Sequence, residues 1–167
     1  MIRSGSRRWN ISRAGNSSAT EGVHRDIYLL VSKDHGDSFA GFKLHPWEIN
    51  ACPMSSMAFA GNPTKVEGAW ETGGQIYFAN ISGTNSVPVN APGQGRGCKH
   101  PRIALAPDGK TLMVWTEGTI WGRGGSLAWQ LYDPSGKVIG ATGTTSGLPA
   151  WSFGAVAPIP NGFVVLS

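Results

Sequence analysis

The sequence predicts an all-β chain of four-stranded antiparallel units, about three blades of a β-propeller whose ring is incomplete. Composition is the first support. Of 167 residues, 40% are apolar and only 14% charged, with 24 Gly, 11 Pro and 7 Trp. That mix favours many short strands joined by turns over long amphipathic helices. The second support is an internal repeat. Met57-Ala58-Phe59-Ala60 leading to Ala69-Trp70-Glu71-Thr72-Gly73 recurs as Arg102-Ile103-Ala104-Leu105 leading to Val114-Trp115-Thr116-Glu117-Gly118. A third copy starts near Gly154-Ala155-Val156-Ala157, with Pro160-Asn161-Gly162 matching Pro107-Asp108-Gly109. A repeat of 45 to 53 residues with four strands has the size of one propeller blade.

Taken in order, residues 1–22 read as a disordered or atypical basic leader and 23–167 as the partial propeller. An outer hairpin occupies 26–44, from strand signals at 26–32 and 41–44. A blade at 53–90 includes the strand signal Gln75 to Asn80. A second blade at 101–140 includes Ser126 to Tyr132 and turns at Asp133-Pro134-Ser135-Gly136. An inner hairpin fills 153–167. Propellers close with about four to eight blades, so three leave open edges and bare apolar faces. The expectation is a fragment of a larger protein, or a chain needing partners: missing blades of the same propeller, or self-association through the open edges.

The formal charge of +4 is carried by the leader. Arg3, Arg7, Arg8 and Arg13 lie in the first twenty residues, which contain no acid. Taking these four from the 14 basic residues leaves as many as the 10 acidic ones, so the body is neutral. Nucleic-acid binding would need cations clustered on folded elements and is not expected. No membrane span is present, and the leader lacks the apolar stretch of a secretory signal. Cys52 and Cys98 fit no metal-ligand spacing. Both lie shortly before matched strand starts, so they are expected to be near in space and reduced. No metal or other cofactor is expected.

The first hairpin turns at Ser32-Lys33-Asp34-His35-Gly36-Asp37-Ser38-Phe39. This resembles the Asp-box, or BNR repeat, of the sialidase-like propellers: Ser-x-Asp-x-Gly-x-x-aromatic. The flanking phrases, 25–31 and 47–54, look like those of bacterial members, and the resemblance spans about 25–167. Physically, Asp34 can accept hydrogen bonds from the turn's own N–H groups, Gly36 supplies an otherwise resisted backbone conformation, and Phe39 is expected to plug between layers. The spacing of His35, Asp34 and Asp37 fits neither a calcium loop nor a zinc site.

The resemblance implies that sugars bind on the face opposite the Asp-box turns. Loops leading into the innermost strands would bring His45, Trp47, Glu48, Asn50, Lys99, His100, Arg102 and Trp151 there. Connections between second and third strands would add Trp70, Glu71, Trp115, Glu117, Trp121 and Arg123. From these, Trp47, Glu71, His100, Arg102, Glu117, Trp121, Arg123 and Trp151 form the candidate glycan-binding set. Aromatic rings stack on apolar sugar faces, while carboxylates and guanidinium groups fix hydroxyls or an acid group. A structural reading stands beside this one. Trp70 and Trp115 suit inter-blade packing, Glu71 and Glu117 suit solvated turns, Arg102 suits a strand cap, and His100 a structural role.

A retaining sialidase, as the resemblance implies, needs an arginine cluster, a Tyr nucleophile with a Glu partner, and an acid/base Asp. The family's early Arg-Ile-Pro motif is absent, and Tyr28, Tyr77 and Tyr132 lie within expected outer strands. No catalytic residue is assigned. The expectation is a glycan-binding or scaffold portion of a larger extracytoplasmic protein, secreted or periplasmic. The alternative is a portion of an exo-sialidase or other glycoside hydrolase whose catalytic residues lie largely outside this chain.

Overall fold

The computed structural model describes residues 23–51, 56–83, 85–92 and 97–167. Among them are twelve strands and no helix, so the chain is all-β. β1 (Ile27–Val31) and β2 (Ala40–His45) form a hairpin. β3 (Ala58–Gly61), β4 (Val66–Thr72), β5 (Gln75–Asn80) and β6 (Val89–Asn90) form a four-stranded antiparallel meander. β7 (Lys99–Leu105), β8 (Thr111–Glu117), β9 (Gly125–Tyr132) and β10 (Val138–Leu148) form another. β11 (Ala155–Ile159) and β12 (Gly162–Leu166) close the series as a second hairpin.

Side chains alternate across each strand, and both faces of the two middle sheets are apolar, so each must be covered. Ala69, Ile76 and Phe78 of the second sheet bury against Ile103, Met113, Trp115, Ala128 and Tyr132 of the third. The opposite face of the second sheet, with Trp70, Ala79 and Ile81, packs on Ile27, Trp47 and the half-buried Leu29 and Leu44. The far face of the third sheet, with Leu112, Val114 and Leu127, receives Val156, Phe163 and Val165. The four sheets therefore stack face on face in chain order. Trp70 and Trp115, at matched repeat positions, each fill the face turned to the preceding sheet.

One buried polar link crosses between the middle sheets. Glu67, 2% exposed, pairs with Lys65 and accepts a hydrogen bond from the Thr111 hydroxyl at 2.6 Å. A carboxylate so far from water is tolerated because both interactions answer it.

The antiparallel order sends alternate turns to opposite ends of the stack. At one end the β4–β5 turn meets the start of β7, where the Cys98 N–H donates to the Gly74 carbonyl. At the other, Lys65 of the β3–β4 turn donates to the carbonyl of Pro134 between β9 and β10. β1 starts beside Glu71 and Met57, so its far end carries the Asp34 turn to the end opposite the β4–β5 turn.

Two expectations are corrected. Phe39 does not plug between layers: it is 47% exposed, because the hairpin has no covering layer on that side of its turn. β10 continues to Leu148, beyond the expected boundary near residue 140. It does so through irregular register at Ile139–Gly143, where the Trp129 ring occupies the space a side chain at Gly143 would need.

Candidate functional site

The Trp121 side chain is held at the tip of a tight loop. Ile120 and Arg123 exchange backbone hydrogen bonds (Ile120 N–H to Arg123 carbonyl 3.3 Å, Arg123 N–H to Ile120 carbonyl 3.0 Å), leaving Trp121 and Gly122 as the two turn residues. Gly122 has φ +72°, a conformation that suits this position in a two-residue hairpin. The indole consequently projects outward, 74% exposed.

A second loop brings Trp151 to meet it. The Ser152 N–H donates to the Pro149 carbonyl at 3.3 Å, and Trp151 takes φ +66°, uncommon for a bulky side chain. Gly124 makes the approach feasible, since a Cβ there would lie 1.9 Å from the Leu148 carbonyl oxygen. The two indoles meet edge to face, with centroids 4.4 Å apart and planes at 88°. His100 sits below with φ +52°, its ring edge-on to Phe153 at 4.5 Å. Thus, of the three non-glycine residues with positive φ among the described residues, two flank this recess.

The recess encloses about 120 Å³ and is lined by Lys99, His100, Thr119, Ile120, Trp121, Arg123, Trp151, Ser152 and Phe153. Its lining carries two permanent cations and no carboxylate. Burial, and then the cations Lys99 and Arg102, push the His100 pKa below its ordinary value, so its ring stays neutral at pH 7. Arg123 is steadied by donating to the Gly118 carbonyl at 3.2 Å.

Four of the eight expected site residues, His100, Trp121, Arg123 and Trp151, therefore converge, and four do not. Trp47 is 8% exposed and belongs to the core against Trp70. Glu71 is 4% exposed, and its carboxylate accepts the Gly74 N–H at 2.7 Å, so it holds the β4–β5 turn instead of standing in solvent. Both border a separate recess with Asp26, Ser56 and Met57. Arg102 donates to Ser56 Oγ at 3.0 Å and to the Pro101 carbonyl at 2.9 Å. Glu117 accepts the Trp115 indole N–H at 2.8 Å and faces the Cys98 thiol, whose pKa burial and then Glu117 push up to about 11. Cys52, and with it the expected proximity of the two cysteines, lies outside the described residues.

Sequence reasoning missed Thr119, Ile120, Ser152 and Phe153 as lining residues. Adjacency to Trp121 and Trp151 in the chain was the only available signal for them. A larger groove of about 700 Å³ opens at the far end of the stack, but its two charged lining residues, Lys65 and Glu67, engage each other. Among the described residues no group of three or more His, Cys, Asp or Glu side chains gathers to hold a metal ion, and no helix is long and apolar enough to cross a membrane.

At the Asp34 turn the carboxylate accepts the Ser32 hydroxyl at 2.7 Å, the Ser38 N–H at 2.9 Å and the Ser38 hydroxyl. Those donors, Ser38 first, hold the Asp34 pKa down at about 2. Comparison with known proteins finds no match among family descriptions, curated proteins or solved structures.

Proposed function

We propose that the chain is part of a sialidase-like Asp-box propeller, each four-stranded sheet a blade, and that it binds a glycan at the Trp121–Trp151 recess. The observation that carries the reading is the pair of outward-facing indoles beside Lys99 and Arg123. Two adjacent exposed aromatic rings in surface loops favour ligand contact over packing. Indole faces suit the apolar side of a pyranose, and the cations suit a sugar carboxylate. A recess of this volume grips one sugar ring from its edge rather than enclosing a chain. The turns at Asp34 and Asp133 supply the structural half of the reading, since each aspartate closes an outer hairpin with its own side chain.

Titration of intrinsic tryptophan fluorescence with neutral and carboxylated oligosaccharides tests the proposal. A saturable change with an acidic sugar, lost in Trp121→Ala and Trp151→Ala while the circular dichroism is retained, is the expected result. No response from any sugar in the full chain would sink it.

The hydrolase alternative keeps one specific support, the two carboxylates Glu71 and Glu117 near one end of the stack. One oxygen of each is engaged, by the Gly74 N–H and the Trp115 indole respectively, the second Glu71 oxygen is buried without a hydrogen-bond partner among the described residues, and neither residue lines the recess. Binding without turnover is therefore the favoured reading. A chromogenic sialoside should be left intact by the full chain, and turnover abolished by Glu71→Gln or Glu117→Gln would reverse the choice.

A further inference from the structure

The two hairpins at the ends of the stack are two-stranded sheets, each packed by one face on its neighbour. β11 packs on β7 and β8, the first two strands of the third sheet, and leaves the outer strands of that face partly bare. An apolar groove of about 510 Å³ runs along β12 there, lined by Leu127, Trp129, Leu131 and Thr145 of the third sheet and by Phe163 and Val165. At the other end of the stack the coverage is reversed. The β1–β2 hairpin covers the outer part of its neighbour, around Ala79 and Ile81, and leaves Phe59 on the first strand 67% exposed.

We propose that two copies of this chain join head to tail, the edge of β12 that has no strand partner among the described residues in one copy pairing with the corresponding edge of β1 in the other. Each junction then has the strand order β11, β12, β1, β2, the same meander as the two complete sheets. Strand direction agrees. β12 runs toward the end of the stack that carries the Trp121 loop, and β1 starts from that end, so the two meet antiparallel with those ends aligned. Side-chain alternation agrees as well. Tyr28 and Leu30, both 55% exposed, point away from their own second sheet and would enter the other copy's groove beside Trp129. Val164 and Leu166, 41% and 66% exposed, point away from their own third sheet and would cover the other copy's Phe59. Unpaired edges bearing apolar side chains on both faces are a standing invitation to strand addition.

The number of copies rests on the propeller reading above. Among the described residues each copy contributes two whole sheets and half of each of two shared ones, so two copies make a ring of six, within the roughly four to eight blades that close. One copy is too few and three too many. The ring has twofold symmetry, with both junctions alike.

The test is the mass of the 167-residue chain by analytical ultracentrifugation across micromolar concentrations, with amide exchange as a second readout. Twice the chain mass is expected, with slowed exchange in β1 and β12. Leu30→Asp together with Leu166→Asp should return a single-chain mass without lowering the thermal midpoint of the monomer, because both side chains are exposed in it. A monomer at every concentration overturns the pairing and leaves the propeller reading to its own evidence. A dimer indifferent to both substitutions also overturns the pairing. An open ladder of larger masses, with β1 and β12 protected, overturns the closed ring and the propeller reading together.

Discussion

The two ends of the sheet stack are built from the same kind of tight turn and have opposite characters. At the Asp34 end, His35 has φ +58° and Gly36 φ +97°, and the Gly36 N–H is answered by Ser32 Oγ at 2.7 Å. The strained backbone is met by local hydrogen bonds, and the 133–137 turn repeats the device, with Asp133 accepting the Ser135 and Lys137 N–H groups. At the Trp121 end, Trp151 is equally left-handed, yet the turn offers only the long Ser152-to-Pro149 bond and leaves the indole 56% exposed. Strain answered within its own turn marks a structural device. Strain that presents an aromatic ring to solvent is what the proposed glycan site would require.

That contrast can be broken most decisively with paired tryptophan substitutions. Trp115→Ala, which empties a fully buried position between sheets, should cost about 3–5 kcal/mol, whereas Trp121→Ala should stay within about 0.5 kcal/mol. Chemical denaturation measures both, and comparable losses would mean that Trp121 is part of the core. For a sugar that binds the recess, Trp121→Ala should weaken affinity about tenfold or more, equivalent to ~1.4 kcal/mol, by calorimetric titration. Comparable in size is Gly124→Ala, whose new methyl group collides with the Leu148 carbonyl. A loss of ~1–3 kcal/mol with a weakened Trp121–Trp151 signal in near-ultraviolet dichroism is expected.

The smallest effect sharpens the other side of the comparison. The Asp34 pKa is depressed to about 2, against about 3.9 in an unfolded chain. Its contribution is therefore complete above pH ~4 and lost as pH falls toward ~2. In Asp34→Asn the thermal midpoint should be slightly lower at pH 7, and the gap from the parent should close over that interval. A gap that widens on acidification would show that Asp34 is not held as a carboxylate.

Much of the architecture was legible because sheet-forming sequence is periodic. The recurrence around Trp70 and Trp115 located equivalent strands, and the Ser32–Phe39 phrase located a hairpin turn. Burial was harder to read. Trp47 and Trp121 look alike in sequence, each following a strand in a loop, but Trp47 lies over the Trp70 face, whereas Trp121 meets the Trp151 loop and stays 74% exposed. Which loop has a sheet beneath it is a property of the stack, not of the local sequence. The same holds for Glu71, whose partner is the N–H three residues ahead in its own turn, and for Phe39, which has no layer to enter. Half of the candidate set converged because Trp121, Arg123 and Trp151 lie in loops that topology gathers at one end, beside the start of β7 where His100 stands.

Each sheet packs mainly on its immediate neighbours, so the molecule is close to one-dimensional in its energetics. Its terminal hairpins are each held by one face, while the middle sheets are held by two. In a single copy, fraying should therefore start at β1–β2 and β11–β12 and stop at the layer where Trp115, Met113 and the Glu67–Thr111 link lie. The Trp121–Trp151 contact joins the third sheet to the loop leading into the last hairpin, and so spans a seam that opens early. A ligand gripping both indoles would act as a clasp on that seam, stiffening a hairpin it never touches.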